Sequence, residues 1–409
     1  MRHFRKILCL LSMASIILWS IPGFCAEIVI GFTGPLSGPA AEYGQDCLNG
    51  IDMAIKEINA AGGVAADGQK FTFRLERMDD KVSPELAVAN ARQLVEKGAL
   101  AVFDPVFSSA AALLKINEEE CSEFLVMGYT SSPKADISKN NLLIIAAPMI
   151  PDYAKVYVNF AWEKGWRKAA MVVTQGAYGD EWRQIFRTAW EKKGGRITAD
   201  KPANFYTRTD FVAPLTAAIA TKPDVLLIGG PSGTTALAIA QARQMGFTGG
   251  FLIVDQAKMD TIAQMLDGTK LMENAIGTAN FKDIPVPMMA AFDKKYKETY
   301  RRITTWEAAL HYGSMHALAK AIAAAGTQDN VYAVRAAMPK ALPMLGDRFP
   351  AEMYGISEAG RIYMPAVLQS IKGGKFAQAE VYIWWTKKPE EFENVKKISK
   401  IALPKRQLN

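Results

Sequence analysis

The chain has 409 residues, half of them hydrophobic and 22% charged, which excludes a disordered chain and suggests two domains, or three. Its formal net charge of +7 includes Arg2, Arg5 and Lys6, so the sequence beyond its first segment carries +4. That mild excess has no concentrated basic tract and argues against nucleic acid as a partner.

Those three cations precede an apolar run from Ile7 to Ile21, and the small residues Gly23, Cys25 and Ala26 follow, the layout of a secretory signal peptide over 1–25. Cleavage after Cys25 puts Gly23 and Cys25 at the two positions that want small residues, whereas cleavage after Ala26 would put Phe24 at one of them. Phe24 also disfavours a lipid anchor on Cys25. No other apolar run reaches the ~18 residues needed to span a bilayer, so the mature chain is expected to be soluble and exported. Cys9 and Cys25 fall in the leader. Cys47 and Cys121 remain, open to a disulfide or to two buried free thiols.

After the leader, strand and helix patterns alternate. EIVIGF (27–32) reads as a buried strand, and TGPLSGPAAEYG as a loop leading into a helix with Leu48, Ile51, Ile55 and Ile58 on one face, ended at 61–63. FTFRLERMDD (71–80) alternates as a strand. A helix with Ala87, Val88, Ala91, Leu94 and Val95 on one side follows, then a strand at 99–103 that leads to Ser108 and Ser109. The next apolar run, FLVM, ends in Tyr129, Thr130, Ser131 and Ser132. If both runs are parallel strands, their hydroxyl-rich ends share the sheet edge at which open α/β sheets bind ligands. Taken singly, such serines cap helices and shape turns.

LLIIAAPMIPDY (142–153) reads as a crossing to a second series: helix 152–165, strand 168–173, helices 179–193 and 210–220, strand 224–230, helix 232–245 and strand 250–255, ending at Asp255. Trp182, Phe186 and Trp190 recur at helical spacing, which reads as packing on a sheet. A second crossing is expected at 277–287, then helices 288–301 and 305–325 covering the first domain. Two alternating runs joined at Gly373-Gly374 follow as a hairpin, and then a basic surface tail, 387–409.

Motifs for chemistry are absent or fail. GGPSGTT (229–235) lacks the final glycine of a hydrolase elbow. GFTGPLSG has the wrong glycine spacing for a dinucleotide, and nothing matches a phosphate loop or a zinc pattern. His311 and His316 are poorly spaced for one helical face and read as ordinary residues. The carboxylate pair Asp79 and Asp80 follows a strand end and reads as a helix cap. No cofactor or metal and no catalytic activity are expected.

IGFTGPLSGPAAEYGQDCLNGIDMAIKEINAAGGV (30–64) resembles the start of the branched-chain amino-acid (Leu/Ile/Val) binding proteins of bacterial ABC transporters, a likeness that runs along the mature chain and weakens in its C-terminal third. The resemblance implies a type I periplasmic-binding fold of two doubly wound α/β domains joined by three hinge crossings, with 26–148 and 279–364 in one lobe and 149–278 and 365–409 in the other. It implies that Tyr43 and Tyr178 line the cleft, and that Ser108 with the Ser109 amide takes a ligand carboxylate. Tyr129 and Ser131 would offer a carbonyl and a hydroxyl, and Asp255 would meet an ammonium. The disulfide of the compared family member falls at about Val82 and Phe107 and is missing here. Phe107 brings a ring to the carboxylate turn, Pro231 replaces an aromatic, Asp255 replaces Glu, and Tyr129 replaces a small residue. The implied function is solute binding in the periplasm for ABC permease subunits, by a monomer with no catalytic activity. The ligand is an amino acid, or another carboxylate or amide, rather than Leu, Ile or Val. A ligand-sensing receptor subunit and an exported hydrolase are the alternatives.

Overall fold

A computed structural model describes residues 26–408, so the leader and its cleavage site lie outside the described residues. The chain begins β1 (Ala26–Gly34), α1 (Ala41–Ala60), β2 (Val64–Ala66), β3 (Gln69–Asp79), α2 (Pro84–Glu96), β4 (Ala99–Asp104), α3 (Phe107–Leu113), β5 (Leu125–Gly128), α4 (Pro133–Asp136) and β6 (Leu143–Ile145). It continues through α5 (Ile150–Glu163), β7 (Lys168–Val173), α6 (Ala177–Lys192), β8 (Arg196–Asp200), α7 (Val212–Ile219), β9 (Val225–Gly229), α8 (Ser232–Gln244), β10 (Gly250–Ile253), α9 (Met259–Met265) and β11 (Ala275–Thr278). Helices α10 (Met289–Tyr300), α11 (Trp306–Ala325) and α12 (Val331–Ala341) come next. Strands β12 (Gly355–Ile356), β13 (Ile362–Tyr363), β14 (Ala366–Lys372), β15 (Lys375–Phe376) and β16 (Glu380–Ile383), helix α13 (Pro389–Ile398) and β17 (Lys405–Gln407) end it.

These elements form two large sheets and a small antiparallel β12-β13 pair. The first runs β2-β3-β1-β4-β5-β6, parallel except for β2. The second runs β17-β16-β14-β11-β10-β9-β7-β8, parallel from β8 to β11, with β14 antiparallel to both its neighbours. Strands buried on both faces, such as β4 and β9, are continuous apolar runs, as a helix-covered parallel sheet requires. Caps set the helix starts. Ser83 accepts from the Leu86 amide at α2, Thr305 from Ala308 at α11 and Asn330 from Ala333 at α12. Gly326, at φ +72°, ends α11 in the left-handed conformation that glycine adopts without strain.

The chain leaves the first sheet after β6 and enters the second at β7. It returns after β11 to lay α10, α11 and α12 on the first, then rejoins the second at β14. One apolar core joins α1, α10, α11 and α12 to a face of the first sheet, and another backs the second sheet with α7, α8 and α9. A third is continuous through both sheets, running from Val29, Leu94 and Phe107 to Tyr157, Trp182, Phe186 and Trp190.

Several elements depart from the sequence reading, among them β6 and β11 at the stretches read as crossings. Strand β8 was not anticipated, nor was β2, which pairs with β3 across the Asp67-Gly68 turn. Helix α12 occupies part of a stretch read as loop. The tail is not merely surface: α13 buries Val395, and β17 pairs in parallel with β16 at the sheet edge.

Candidate functional site

Each sheet has a switch point where the strand order reverses, between β1 and β4 in the first and between β7 and β9 in the second. The two are built alike. Beyond β1 the chain turns at Pro35 into α1, whose first turn carries Tyr43 and Gly44; beyond β7 it turns at Thr174 into α6, whose first turn carries Tyr178 and Gly179. A Cβ on Gly44 would stand 1.8 Å from the Pro35 carbonyl oxygen, and one on Gly179 1.7 Å from that of Thr174. Only glycine lets the helix start so close to its strand end, and that closeness sets each tyrosine over the edge. Tyr43 is further held by its hydroxyl, which donates to the Pro105 carbonyl at 2.8 Å.

Asp255 lies two residues beyond β10 and is 8% exposed. Its Oδ1 accepts from Tyr178 Oη at 2.6 Å, Trp182 Nε1 at 2.8 Å and Ser131 Oγ at 3.0 Å. Ser131 follows β5, so this contact ties one sheet to the other. Among the described residues no donor reaches Oδ2. Asp255 lines a small cavity, of about 20 Å³, with Tyr43, Phe107, Tyr129, Ser131 and Tyr178 together with Pro105, Thr130, Ala147, Tyr206 and Gln256. Six of the eight residues expected from the sequence therefore meet in one place. A second cavity, of about 30 Å³, shares Tyr129, Ala147 and Asp255. Beyond them it is walled by Lys258, Ile284, Trp306, Leu310, Met364 and others where the chain passes between the sheets.

Ser108 and Ser109 are not part of that lining. Helix α3 starts at Phe107, whose ring takes the cavity wall, while Ser108 is half-buried and Ser109 fully buried. Ser109 Oγ makes no well-formed hydrogen bond, although it lies close enough to Asp80 to help hold that carboxyl down. Asp80 and Asp104 stand at the ends of β3 and β4. Each takes one short amide bond, from Val82 and Val106 at 2.8 Å, and each keeps a buried Oδ2 with no partner. Burial pushes the Asp80 carboxyl up to about 6, and burial plus the nearby Asp80 charge pushes Asp104 well above the usual carboxylate range. The helix cap at α2 is Ser83 rather than either aspartate.

Polar groups beside the cavity are tied to one another. Lys258 and Glu307, both 3% exposed, pair at 3.1 Å, and the same ammonium donates to the carbonyls of Asp255 and Gln256. Lys258 Nζ stands 5.7 Å from the centre of the Tyr129 ring, which stacks on Tyr43 and meets His311 edge-on at 5.1 Å. Burial lowers His311 to about 4, so its ring is neutral. Arg361 pairs with Asp136 and donates to the carbonyls of Thr130, Ala147 and Ser132, fastening the loop after β5. Across the rim, Glu181 of α6 accepts from Ser132 at 2.5 Å and pairs with Lys134 of α4 at 3.2 Å.

Sequence reasoning missed Trp182, Tyr206, Gln256, Lys258 and Arg361. Trp182 reads from its spacing as part of a core-packing stripe, and the other four lie in loops whose approach to the site is set by tertiary packing. Cys47 is buried and Cys121 exposed, and both are free, so neither the disulfide nor a pair of buried thiols is formed. Among the described residues no group of three or more His, Cys, Asp or Glu side chains could hold a metal ion, and no helix is long and apolar enough to cross a membrane.

A family model described as periplasmic binding protein matches residues 27–375. The chain is 24% identical over 346 residues to an amino acid binding protein of Pseudomonas aeruginosa, covering 80% of this chain and 86% of that one. It shares its fold with a leucine binding protein of Thermotoga maritima MSB8 (TM-score 0.72, 22% identity, 89% of this chain and 99% of that one). It shares it equally with a branched-chain amino acid transporter substrate binding protein of Streptococcus pneumoniae solved with isoleucine (TM-score 0.71, 22% identity, 87% and 99%).

Proposed function

The chain belongs to the periplasmic binding protein family, and from that premise we propose that it is the extracytoplasmic solute-binding component of an ABC importer. It works as a monomer in the periplasm, closing two lobes on a small ligand and presenting the closed form to membrane permease subunits without chemistry of its own. The lobes are 26–148 with 279–364 and 149–278 with 365–408. The observation that carries this reading is Asp255, whose carboxylate is gripped by donors from both sheets at the mouth of a cavity between them.

Of the ligand classes that the sequence suggests, the geometry favours those with an ammonium. Tyr178, Trp182 and Ser131 hold Oδ1 and orient Oδ2 toward the cavity, where an ammonium forms a charge-assisted bond. Amino acids are the class named for the relatives. In that reading Tyr43, Phe107 and Tyr129 enclose the ligand body, and a carboxylate falls to Ser108 and the Ser109 amide, next to Phe107 at the start of α3.

Thermal-shift and calorimetric titration with amino acids, amines, ω-amides and aromatic carboxylates tests this. Ammonium-bearing compounds should raise the melting temperature, since a ligand that binds only the folded state stabilises it by mass action. Asp255→Ala should abolish the shift. Persistence of binding in Asp255→Ala would refute the assigned site, and loss in Ser108→Ala alone would mark the ligand as a simple carboxylate.

A further inference from the structure

The side chains around the cavity carry charge of one sign only, once each pair is set against its partner. Lys258 is paired with Glu307, and its ammonium, which has three donors, already meets a carboxylate and two carbonyls. Arg361 is paired with Asp136 and spends its remaining donors on three carbonyls. His311 is neutral. What stays without a cationic partner is Asp255 and, in the wall of the larger cavity, Glu352, which accepts only from hydroxyls and backbone amides. A ligand carboxylate would find no unpaired cation in the lining, and neither Ser108 nor Ser109 reaches it.

The rings fit the same charge. Tyr43, Tyr129, Tyr178, Tyr206 and Phe107 all face one cavity with a single free carboxylate oxygen, the arrangement in which ring faces and an acid together bind a cation. The larger cavity that shares Tyr129 and Asp255 has Lys258 and Glu352 in its wall, both held by other groups, and Ile284, Trp306, Leu310 and Met364 beside them, an apolar side that can take the body of a molecule whose charged end lies at Asp255.

We propose that the ligand is a small primary amine with an apolar body and no carboxylate, its ammonium between Asp255 and the tyrosine rings and its body directed toward the larger cavity. This rests on the solute-binding reading and narrows it from ammonium-bearing solutes to cations.

Matched titrations of the purified mature protein decide it: isopentylamine against leucine, phenethylamine against phenylalanine, and benzoate as the carboxylate alone. Each amine should bind at least about tenfold more tightly than its parent amino acid, because the added carboxylate is desolvated with no charged partner. Affinity across straight-chain amines from propyl to hexyl should rise roughly fourfold per methylene. Asp255→Asn, which keeps the shape and removes the charge, should weaken every amine by about 100-fold, and Tyr129→Leu should weaken amines while leaving the melting temperature of the free protein within a few degrees. Parent amino acids binding as tightly as their amines would overturn the proposal and leave the solute-binding reading standing. Binding of benzoate or neutral amides alone, unchanged in Asp255→Asn, would remove the ammonium as well. No response to any compound, from a protein folded by circular dichroism, would overturn the solute-binding reading itself.

Discussion

Three donors converge on Oδ1 of Asp255, and each comes from a residue with little freedom to move away: Trp182 is fully buried, Tyr178 starts a helix, and Ser131 sits in a loop fastened by Arg361. Removing one donor leaves the carboxylate less oriented at a net loss of about 1.5 to 3 kcal/mol, the range for hydrogen bonds to charged groups. Tyr178→Phe, which retains the ring, should therefore lower ligand affinity by roughly tenfold or more in calorimetry, with circular dichroism unchanged. Asp80 gives a second prediction. Its folded carboxyl is raised to about 6 from an ordinary 3.8, so the folded protein holds this proton more tightly than the unfolded one. That contribution to stability is complete below the ordinary value and is lost as pH rises through about 6. Asp80→Asn should melt higher than the parent at pH 8, with the gap closing as pH falls toward 4; a gap independent of pH would rule out Asp80 as its source.

At the level of elements, the same strand, turn and helix start recurs in both sheets, and its glycine is the part that tolerates no replacement. Gly179→Ala should push the first turn of α6 away from Thr174 and carry Tyr178 off Asp255, giving a folded protein with severely weakened ligand binding. Gly50→Ala tests a different contact, since its Cβ would stand 2.2 Å from the Ala308 carbonyl oxygen where α1 crosses α11; there the expected effect is a lower melting temperature, with the cavity residues left in place. Much of this was legible in the residues. AEYG and GAYGDE are local patterns, and the apolar runs ending at Tyr129 and Asp255 mark strand ends by composition alone. Strands β8 and β17 were not legible, because RITAD and KRQ carry too few apolar residues to signal a strand and are held by pairing to neighbours instead. Trp182 belongs to a helical stripe that packs the core, and nothing in its spacing reveals that its indole N–H also reaches Asp255 across the sheet. Phe107 and Ser108 are adjacent, and which of them faces the cavity depends on how α3 is seated, a tertiary fact that neighbouring residues do not encode.

At the scale of the whole molecule, the polar contacts Ser131–Asp255, Ser132–Glu181 and Lys134–Glu181 bridge the two sheets across the rim of the cavity. Glu181→Ala removes two of the three and leaves the cavity lining intact. In small-angle scattering the ligand-free variant should show a larger radius of gyration than the parent, and ligand should return it to the parent's closed value at a higher concentration, because part of the binding energy is then used for closure. Identical scattering curves would show that these rim contacts do not govern the opening.

The way the strands are shared between the ends of the chain sets the order in which the molecule can be made. Strand β11 pairs with β14, yet between Thr278 and Ala366 the chain must first build α10, α11 and α12 on the other sheet. Neither half is a continuous segment, so neither can finish folding while synthesis is still in progress. Pairing of this kind between distant segments slows folding, because loop closure precedes any gain from contacts. The same topology that brings Asp255 against Ser131 thus leaves both halves incomplete until the last strands are in place.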